Sequence, residues 1–173
     1  MTTQNYLNNY FQNEWKSSIP GYKYSGDALI RKVKPNESVV DVGCGDNYFK
    51  RKISNLVGID PANDRADFKV TIEEFETDQK FDVAFCLGSI NFGDEKRILT
   101  QIEKVISLLK PNARIYWRCN PGKQDHPTVG CKEIEFFPWT FEFHQWHAPR
   151  LGFTIKELCW DTQNRIYAEW VRS

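Results

Sequence analysis

The stretch "VVDVGCGDNYF", residues 39–49, decides the fold of this chain. An apolar run ends in Asp41, and Gly43 and Gly45 follow before the sequence becomes polar. Continuous apolar runs are typical of strands in a parallel sheet that has helices on both faces. In such sheets the first strand-to-helix turn lies close to the ligand, and glycine permits that approach because it has no side chain. We therefore expect a ligand site at this turn.

Length and composition limit the class of protein. The chain has 173 residues, 40% of them hydrophobic and 14% aromatic, which suffices for one core and is short for two domains. We expect a single domain over residues 1–173, with an N-terminal helical cap (1–34) and an α/β core (38–173). Its 23 basic and 23 acidic residues balance, which argues against nucleic acid or a membrane surface as the partner.

The sequence favours a cytoplasmic protein. No apolar run has the length of a membrane span, and the start "MTTQNYLNNYFQNEW" lacks the basic end and apolar core of a secretory signal. The five cysteines form no CxxC pair, which argues against a disulfide framework and a zinc ribbon. We expect reduced thiols and no bound metal.

Strands and helices alternate along the core. Five apolar runs predict parallel strands, namely "SVVDVG", "NLVGID", "FKV", "FDVAFCL" and "ARIYWRC". Two further runs, "FTIKELCW" and "RIYAEWV", predict an antiparallel hairpin because the "DTQN" turn between them is too short for a crossover. We expect an α/β fold of three layers, whose mostly parallel, seven-stranded sheet is closed by this C-terminal hairpin.

Four helices are predicted. The clearest has apolar residues at helical spacing from Ile98 onwards, with Asp94 as its N-cap and Pro111 just beyond its end. Two earlier helices are expected over residues 5–15 and 27–34, and a short one over residues 46–53.

A second acidic residue narrows the choice of ligand. "NLVGID" ends in Asp60, nineteen residues after Asp41, where an acid accepts hydrogen bonds from ribose hydroxyls. A dinucleotide site has a third glycine where this chain has Tyr48, which argues against nicotinamide and flavin dinucleotides. Asp41 suits an ammonium group instead. A nucleoside joined to an amino acid, as in S-adenosylmethionine, offers both groups.

The order of these motifs resembles that of the class I S-adenosylmethionine-dependent methyltransferases, from about Ser38 to the C-terminus. "VVDVGCG" and "LVGIDPA" resemble the family's first two motifs, "VTIEEF" its acidic segment after the third strand, and "FDVAFCLGSINF" its fourth strand and tip. "ILTQIEKVISLLKPNARIYW" is similar to the following helix, turn and fifth strand, and "LGFTIKEL" to the approach to the sixth. The resemblance implies a Rossmann-like fold, S-adenosylmethionine as cofactor and methyl transfer as the reaction.

The resemblance also implies a set of cofactor contacts. The first turn would hold the methionine end, Asp60 the ribose, the loop after it the adenine, and the fourth strand's tip would lie near the sulfonium. Two departures from the family are Asn47, where many members have a small residue, and Asn112-Ala113, where two glycines are usual. The expected contacts are Asp41, Gly43, Cys44, Gly45, Asp60, Pro61, Ala62, Thr71, Ile72, Cys86, Leu87 and Gly88.

The sequence says less about the methyl acceptor. Asn91, at the tip of the fourth strand, and His126, in the loop after the fifth, are the candidate catalytic residues, with His126 as a base. Tyr22, Tyr24 and Trp139 are candidate acceptor contacts because aromatic rings stack on flat molecules or surround a cationic amine. The alternatives are a turn former at Asn91 and, for most aromatic residues near Trp139, packing beneath a helix that covers the sheet.

Three functions remain open from the sequence alone. The leading one is a methyltransferase with a small-molecule acceptor. The second acts on RNA or protein, which a basic face including residues 50–52 would favour. The third is a non-enzymatic binding or partner protein, which Asn47 and the short segment between Pro61 and Val70 would favour. The tip "GSIN" lacks the Asn/Asp-Pro-Pro-aromatic tetrad of enzymes that methylate DNA bases, and the sequence does not indicate an oligomeric state.

Overall fold

A six-stranded sheet forms the centre of the computed structural model, which describes residues 3–14, 27–122 and 134–173. Its strand order is β2-β1-β3-β4-β6-β5. The first four strands are parallel, whereas β6 runs antiparallel to both β4 and β5. This confirms the predicted mixed sheet with its C-terminal hairpin. The strands are β1 (Val39–Val42), β2 (Leu56–Ile59), β3 (Phe81–Leu87), β4 (Leu109–Cys119), β5 (Phe153–Trp160) and β6 (Ile166–Arg172).

The prediction of seven strands was wrong. The run "FKV", expected as a strand, makes only an isolated parallel bridge between Ile59 and Phe68. The backbone N–H groups of Asp67 and Phe68 both donate to Gly58 O, at 2.9 and 3.2 Å. The Asp67 carboxylate in turn accepts from Gly58 N at 2.8 Å. At the edge of β2 the Asp67 carboxylate therefore accepts the hydrogen bond that a neighbouring strand would accept. For this reason the run "FKV" does not form a further strand.

Four α-helices accompany the sheet in the described part of the chain: α1 (Thr3–Asn9), α2 (Asp27–Ile30), α3 (Glu95–Ser107) and α4 (Phe141–Arg150). A π-helical turn (Tyr10–Glu14) continues α1, and a 3₁₀ helix (Tyr48–Arg51) follows β1. The predicted cap of α3 is confirmed, since the Asp94 side chain accepts from Arg97 N at 2.9 Å. The second predicted helix is shorter than expected. None of the helices in these residues is long and apolar enough to cross a membrane.

Helices cover both faces of the sheet. Successive residues of a strand point to opposite faces, and those of β3 divide between two apolar clusters. Ala84 and Cys86 belong to a cluster with the buried residues of α3 and α4. Val83 and Phe85 belong to another with α2 and the 3₁₀ helix. The layered arrangement predicted from the sequence is therefore present.

The segment before α4 is part of the core. Trp139 is 1% exposed, and its ring stacks on that of the fully buried His144 with 4.9 Å between centroids. Burial lowers the pKa of His144 to about 3, and neither ring nitrogen has a hydrogen-bond partner among the described residues. His144 is thus a neutral core residue. For Trp139 the structure therefore agrees with the alternative stated above, packing beneath a helix that covers the sheet.

We expect Asp67→Ala to destabilise the protein by about 1–3 kcal/mol, because Gly58 N at the sheet edge loses its acceptor. Asp64→Ala is the matched control, since it removes an exposed carboxylate whose surface ion pair with Lys69 is worth little. Urea unfolding followed by circular dichroism measures both variants. Equal stability of the two would contradict the role given to Asp67.

The contribution of Asp67 depends on pH. Burial alone raises the pKa of this carboxyl, but hydrogen bonds from Gly58 N and Lys50 outweigh it, so the pKa lies below its ordinary value of 3.8. The stabilisation is therefore present above that ordinary value and is lost as the pH falls through the lower pKa of the folded state.

Candidate functional site

The carboxyl ends of β1, β2 and β3 open into one cavity of about 710 Å³. Ligands bind at this edge in open α/β sheets because the strand-to-helix turns converge there. The end of β4, the turn between β5 and β6, and α1 complete the walls. Eleven of the expected cofactor contacts line the cavity: Asp41, Gly43, Cys44, Gly45, Asp60, Pro61, Ala62, Thr71, Ile72, Leu87 and Gly88.

The turn after β1 needs its two glycines for different reasons. Gly43 and Gly45 have φ of 70° and 52°, the left-handed region that glycine adopts without strain. A Cβ on Gly43 would lie 2.3 Å from Ser89 Cβ, so packing against the tip of β3 already requires glycine there. A Cβ on Gly45 would meet no atom of the described residues within 4 Å, because Gly45 faces the cavity. A side chain at position 43 would therefore collide with the protein itself, whereas one at position 45 would conflict only with a ligand in the cavity.

Asp41 is a buried carboxylate at the end of β1. It is 3% exposed, and none of the described residues donates a hydrogen bond to its carboxylate. Burial raises its pKa to about 7, and the nearby charge of Asp60 acts in the same direction. The two acids thus lie close enough to repel each other within one cavity. A positively charged ligand group would relieve both effects.

Asp60 ties the two ligand-side loops together. Its Oδ2 accepts from Gly45 N at 2.9 Å, and its Oδ1 accepts from Ala62 N and Asn63 N at 2.8 and 3.0 Å. A carboxylate offers about four lone-pair directions, so these bonds leave room for a further donor. The contact with ribose stays a prediction, and the sequence did not reveal this structural role.

Asn47 has a structural explanation. Its backbone is left-handed (φ 56°), which asparagine tolerates better than most residues, and its side chain is buried. Its Nδ2 donates to Arg65 O at 3.0 Å, and its Oδ1 lies against Gly58, where an added Cβ would approach it to 2.4 Å. The Asn47 side chain, which departs from the family pattern, therefore holds the loop after β2 by a hydrogen bond. It does not line the cavity.

Three expected site residues lie in the interior and do not line the cavity. Asn91 is fully buried, and its Oδ1 accepts from Asn120 N at 3.0 Å. Trp139 is also buried, and its Nε1 donates to Ile90 O at 2.8 Å. Cys86 is 1% exposed, and burial raises the pKa of its thiol. All three side chains are enclosed by the protein itself, and their contact with a ligand stays a prediction.

Tyr22, Tyr24 and His126 lie outside the described residues. Within the described ranges, no three His, Cys, Asp or Glu side chains are grouped so as to hold a metal ion. The structure adds polar residues that sequence reasoning missed, because their position depends on how α1 and the hairpin turn meet the sheet. They are Gln4, Asn8, Gln12, Ser89, Arg118, Asn120, Gln163 and Arg165.

A polar network fastens α1 above the cavity. Arg97 on α3 donates from Nη2 to Gln4 Oε1 at 2.8 Å, and its Nε lies 3.2 Å from Glu73 Oε1. The same carboxylate oxygen accepts from Gln101 Nε2 at 2.8 Å. Three elements of the cavity wall, namely α1, α3 and the segment after Thr71, are thereby joined.

Comparison with known proteins identifies the fold. No family profile matches the chain, and no curated protein matches it. A solved Synechocystis magnesium protoporphyrin IX methyltransferase with bound S-adenosylhomocysteine is similar, with a TM-score of 0.72 and 12% identity over 99% of this chain and 100% of that one. An N-methyltransferase from Bradyrhizobium japonicum, also with S-adenosylhomocysteine, gives 0.59 and 15% over 79% and 78%. An S-adenosylmethionine-bound amino pentose methyltransferase from Micromonospora echinaspora gives 0.60 and 15% over 84% and 87%. The chain therefore has the fold of these methyltransferases, as the sequence motifs implied.

We expect Asp41→Asn to stabilise the ligand-free protein clearly at about pH 8 and to stabilise it less at about pH 5. The folded-state pKa of about 7 exceeds the ordinary 3.8, so the folded state keeps an extra proton between these values and loses stability as the pH rises through them. The neutral amide avoids this penalty, which is on the order of 2–4 kcal/mol. Thermal unfolding at both pH values measures it, with Asp46→Asn, an exposed cavity carboxylate, as control. A variant less stable than the parent at the higher pH would refute this account.

Proposed function

We propose that this protein is an S-adenosylmethionine-dependent methyltransferase with a small-molecule acceptor. The observation that carries the proposal is the pair of acids at neighbouring strand ends, Asp41 and Asp60, which line one cavity on either side of an open glycine turn. Asp41 would bind the ammonium group of the cofactor, and Asp60 its ribose hydroxyls. The bound cofactors of the structures with the same fold support this assignment.

The remaining cofactor contacts follow from the walls of the cavity. Ala62 and Ile72 are each 5% exposed and provide apolar surfaces, so with Pro61 and Thr71 they would enclose the adenine. The backbone after β1, from Gly43 to Gly45, would lie along the methionine part. Leu87 and Gly88, at the tip of β3, would lie beside the sulfonium.

Positioning is the main task left to the protein. A bound sulfonium supplies an electrophilic methyl group whose bond to sulfur breaks with the electron pair remaining on sulfur. The protein has to hold the acceptor in line and exclude water, and such orientation is worth about 7–11 kcal/mol in favourable systems. A base is needed only if the attacking atom carries a proton at neutral pH, and His126 remains the proposed candidate.

Two observations favour a small acceptor over the alternatives. The lysines of the suggested basic face are ion-paired, Lys50 with Asp67 and Lys52 with Asp27, which weakens the case for RNA. The cavity also continues past Gly88 to the end of β4, so space for an acceptor adjoins the proposed cofactor position. A purely non-enzymatic cofactor-binding protein would not need that space.

We expect S-adenosylhomocysteine to bind, and Gly45→Asn to weaken binding about tenfold or more, because its side chain enters the cavity. Gly152→Asn is the matched control: Gly152 also has a positive φ, of 84°, and open space around its Cβ, but it lies outside the cavity. Asparagine tolerates left-handed backbone, so both variants should fold. Isothermal titration calorimetry measures the affinities. No binding at millimolar ligand would overturn the proposed function.

We also expect the affinity for S-adenosylhomocysteine to rise from about pH 5 to about pH 7 and then to level off, because the ligand's ammonium group binds ionised Asp41. Asp41→Asn should bind weakly at every pH and lose this dependence. The same calorimetric titration, repeated across the pH range, tests the prediction. An unchanged pH profile in the variant would show that Asp41 does not bind the ammonium group.

A further inference from the structure

One wall of the cavity contains two oxygen atoms to which none of the described residues donates a hydrogen bond. They are Oε2 of Glu73, in the segment before β3, and Oε1 of Gln101, on α3. Both residues line the cavity, yet these two oxygens are shielded from water. A shielded polar atom without a partner costs free energy, so its presence in a folded protein requires an explanation.

The neighbouring hydrogen bonds fix both atoms as acceptors. Gln101 Nε2 donates to Glu73 Oε1 at 2.8 Å, and Arg97 Nε donates to the same oxygen at 3.2 Å. Reversing the Gln101 amide would place its oxygen against the carboxylate, so the nitrogen stays there and Oε1 is the free end. The second carboxylate oxygen of Glu73 can only accept. This part of the wall therefore holds two acceptors that need donors.

Arg97 does not supply the missing donors. Its Nε bonds to Glu73 Oε1, and its Nη2 donates to Gln4 Oε1 at 2.8 Å. The Arg97 side chain is 27% exposed, so water can satisfy its remaining N–H groups. Water does not reach the two shielded oxygens in the same way. A donor for them would have to come from a molecule bound in the cavity.

Thr71, one of the residues proposed to enclose the adenine, uses its side chain elsewhere. Its Oγ1 donates to Glu74 Oε2 at 2.9 Å and accepts from Glu74 N at 3.3 Å. These reciprocal bonds have the pattern of a capping box, which fixes the turn that follows. The hydroxyl of Thr71 is therefore engaged in both directions, and side-chain recognition of the base falls to other residues of this wall.

The two acceptors adjoin the part of the cavity that is proposed to enclose the base, since Glu73 directly follows Ile72. Adenine carries one exocyclic amino group, whose two N–H donors match the two acceptors in number. The terminal torsions of Glu and Gln side chains are broad, so a small rotation turns either oxygen towards a donor in the cavity. A carbonyl oxygen in place of the amino group would leave both protein atoms without a donor.

We propose that Glu73 and Gln101 bind the exocyclic amino group of the cofactor's adenine and thereby select adenine over a purine with a carbonyl oxygen at that position. This inference rests on the proposed function, since it assigns residues to the base of that cofactor. Neither residue is among the cofactor contacts expected from the sequence. They determine which nucleoside binds and do not act on the methyl group.

The test compares S-adenosylhomocysteine with S-inosylhomocysteine, its analogue with a carbonyl oxygen in place of the amino group. Isothermal titration calorimetry on the full-length chain measures both affinities. We expect the parent protein to bind S-adenosylhomocysteine about tenfold or more tightly than the analogue, because the analogue leaves two shielded acceptors without donors. Equal affinities would overturn the proposal, and this comparison needs no variant.

Glu73→Gln should shift the preference towards the analogue. Arg97 and Gln101 donate to the position of Oε1, so they should hold the new amide oxygen there and place the amide nitrogen at the position of Oε2. A donor then replaces an acceptor. We expect S-adenosylhomocysteine to bind about tenfold more weakly than to the parent, and S-inosylhomocysteine to bind more tightly. Gln101→Leu removes the other acceptor and should reduce the preference without reversing it.

Glu76→Gln is the matched control. It removes the same charge from the same segment, where the Glu76 carboxylate accepts from Lys104 on α3 at 2.7 Å and does not line the cavity. The same effect from Glu73→Gln and Glu76→Gln would overturn the proposal, as would an unchanged preference in Gln101→Leu. Circular dichroism shows which variants fold, and the parent comparison decides if Glu73→Gln does not.

The outcomes separate this inference from the proposed function. If S-adenosylhomocysteine binds and the analogue binds equally well, the assignment of Glu73 and Gln101 fails and the proposed function stands. If neither nucleoside binds at millimolar concentration, the proposed function fails and the assignment fails with it.

Discussion

The three hydrogen bonds accepted by the Asp60 carboxylate hold the ligand side of this fold in place. They connect Gly45, in the turn after β1, with Ala62 and Asn63, in the loop after β2. Neither loop contains a regular α-helical turn to fix its shape, since a 3₁₀ helix follows β1 and irregular turns follow β2. One carboxylate therefore sets the spacing of the walls around the cavity, and the open position of Gly45 depends on it.

Asp41, unlike Asp60, accepts no hydrogen bond from the described residues and therefore does not stabilise the fold. The protein buries this carboxylate without a compensating donor from the described residues, and its raised pKa is the physical sign of that cost. A core selected for stability alone would have an apolar or amide side chain here. A cationic ligand group beside Asp41 would offset this cost.

The sequence was sufficient to predict which residues lie at the carboxyl ends of the parallel strands. Asp41 and Asp60 each end an apolar run, so parallel pairing was sufficient to bring them to one cavity. The six-stranded sheet was not predictable in this way, because the third run forms a loop whose Asp67 carboxylate accepts the hydrogen bond of Gly58 N. The enclosure of Asn91 and Trp139 was not predictable for a related reason: the segment before α4 folds back over the tip of β3, where Phe137 N donates to Asn91 O at 2.8 Å. Only tertiary structure shows which loop residues become enclosed.

The loop that replaces a seventh strand also affects how the sheet meets other chains. At the β2 border, Gly58 N and O and Asp60 N are all hydrogen-bonded to residues of that loop. Exposed strand borders are where foreign strands attach and where aggregation begins, and proteins protect them with charged or irregular segments. The Asp67 segment does both, so an incoming polypeptide would first have to displace it. The β2 border is thereby protected from pairing by strand addition.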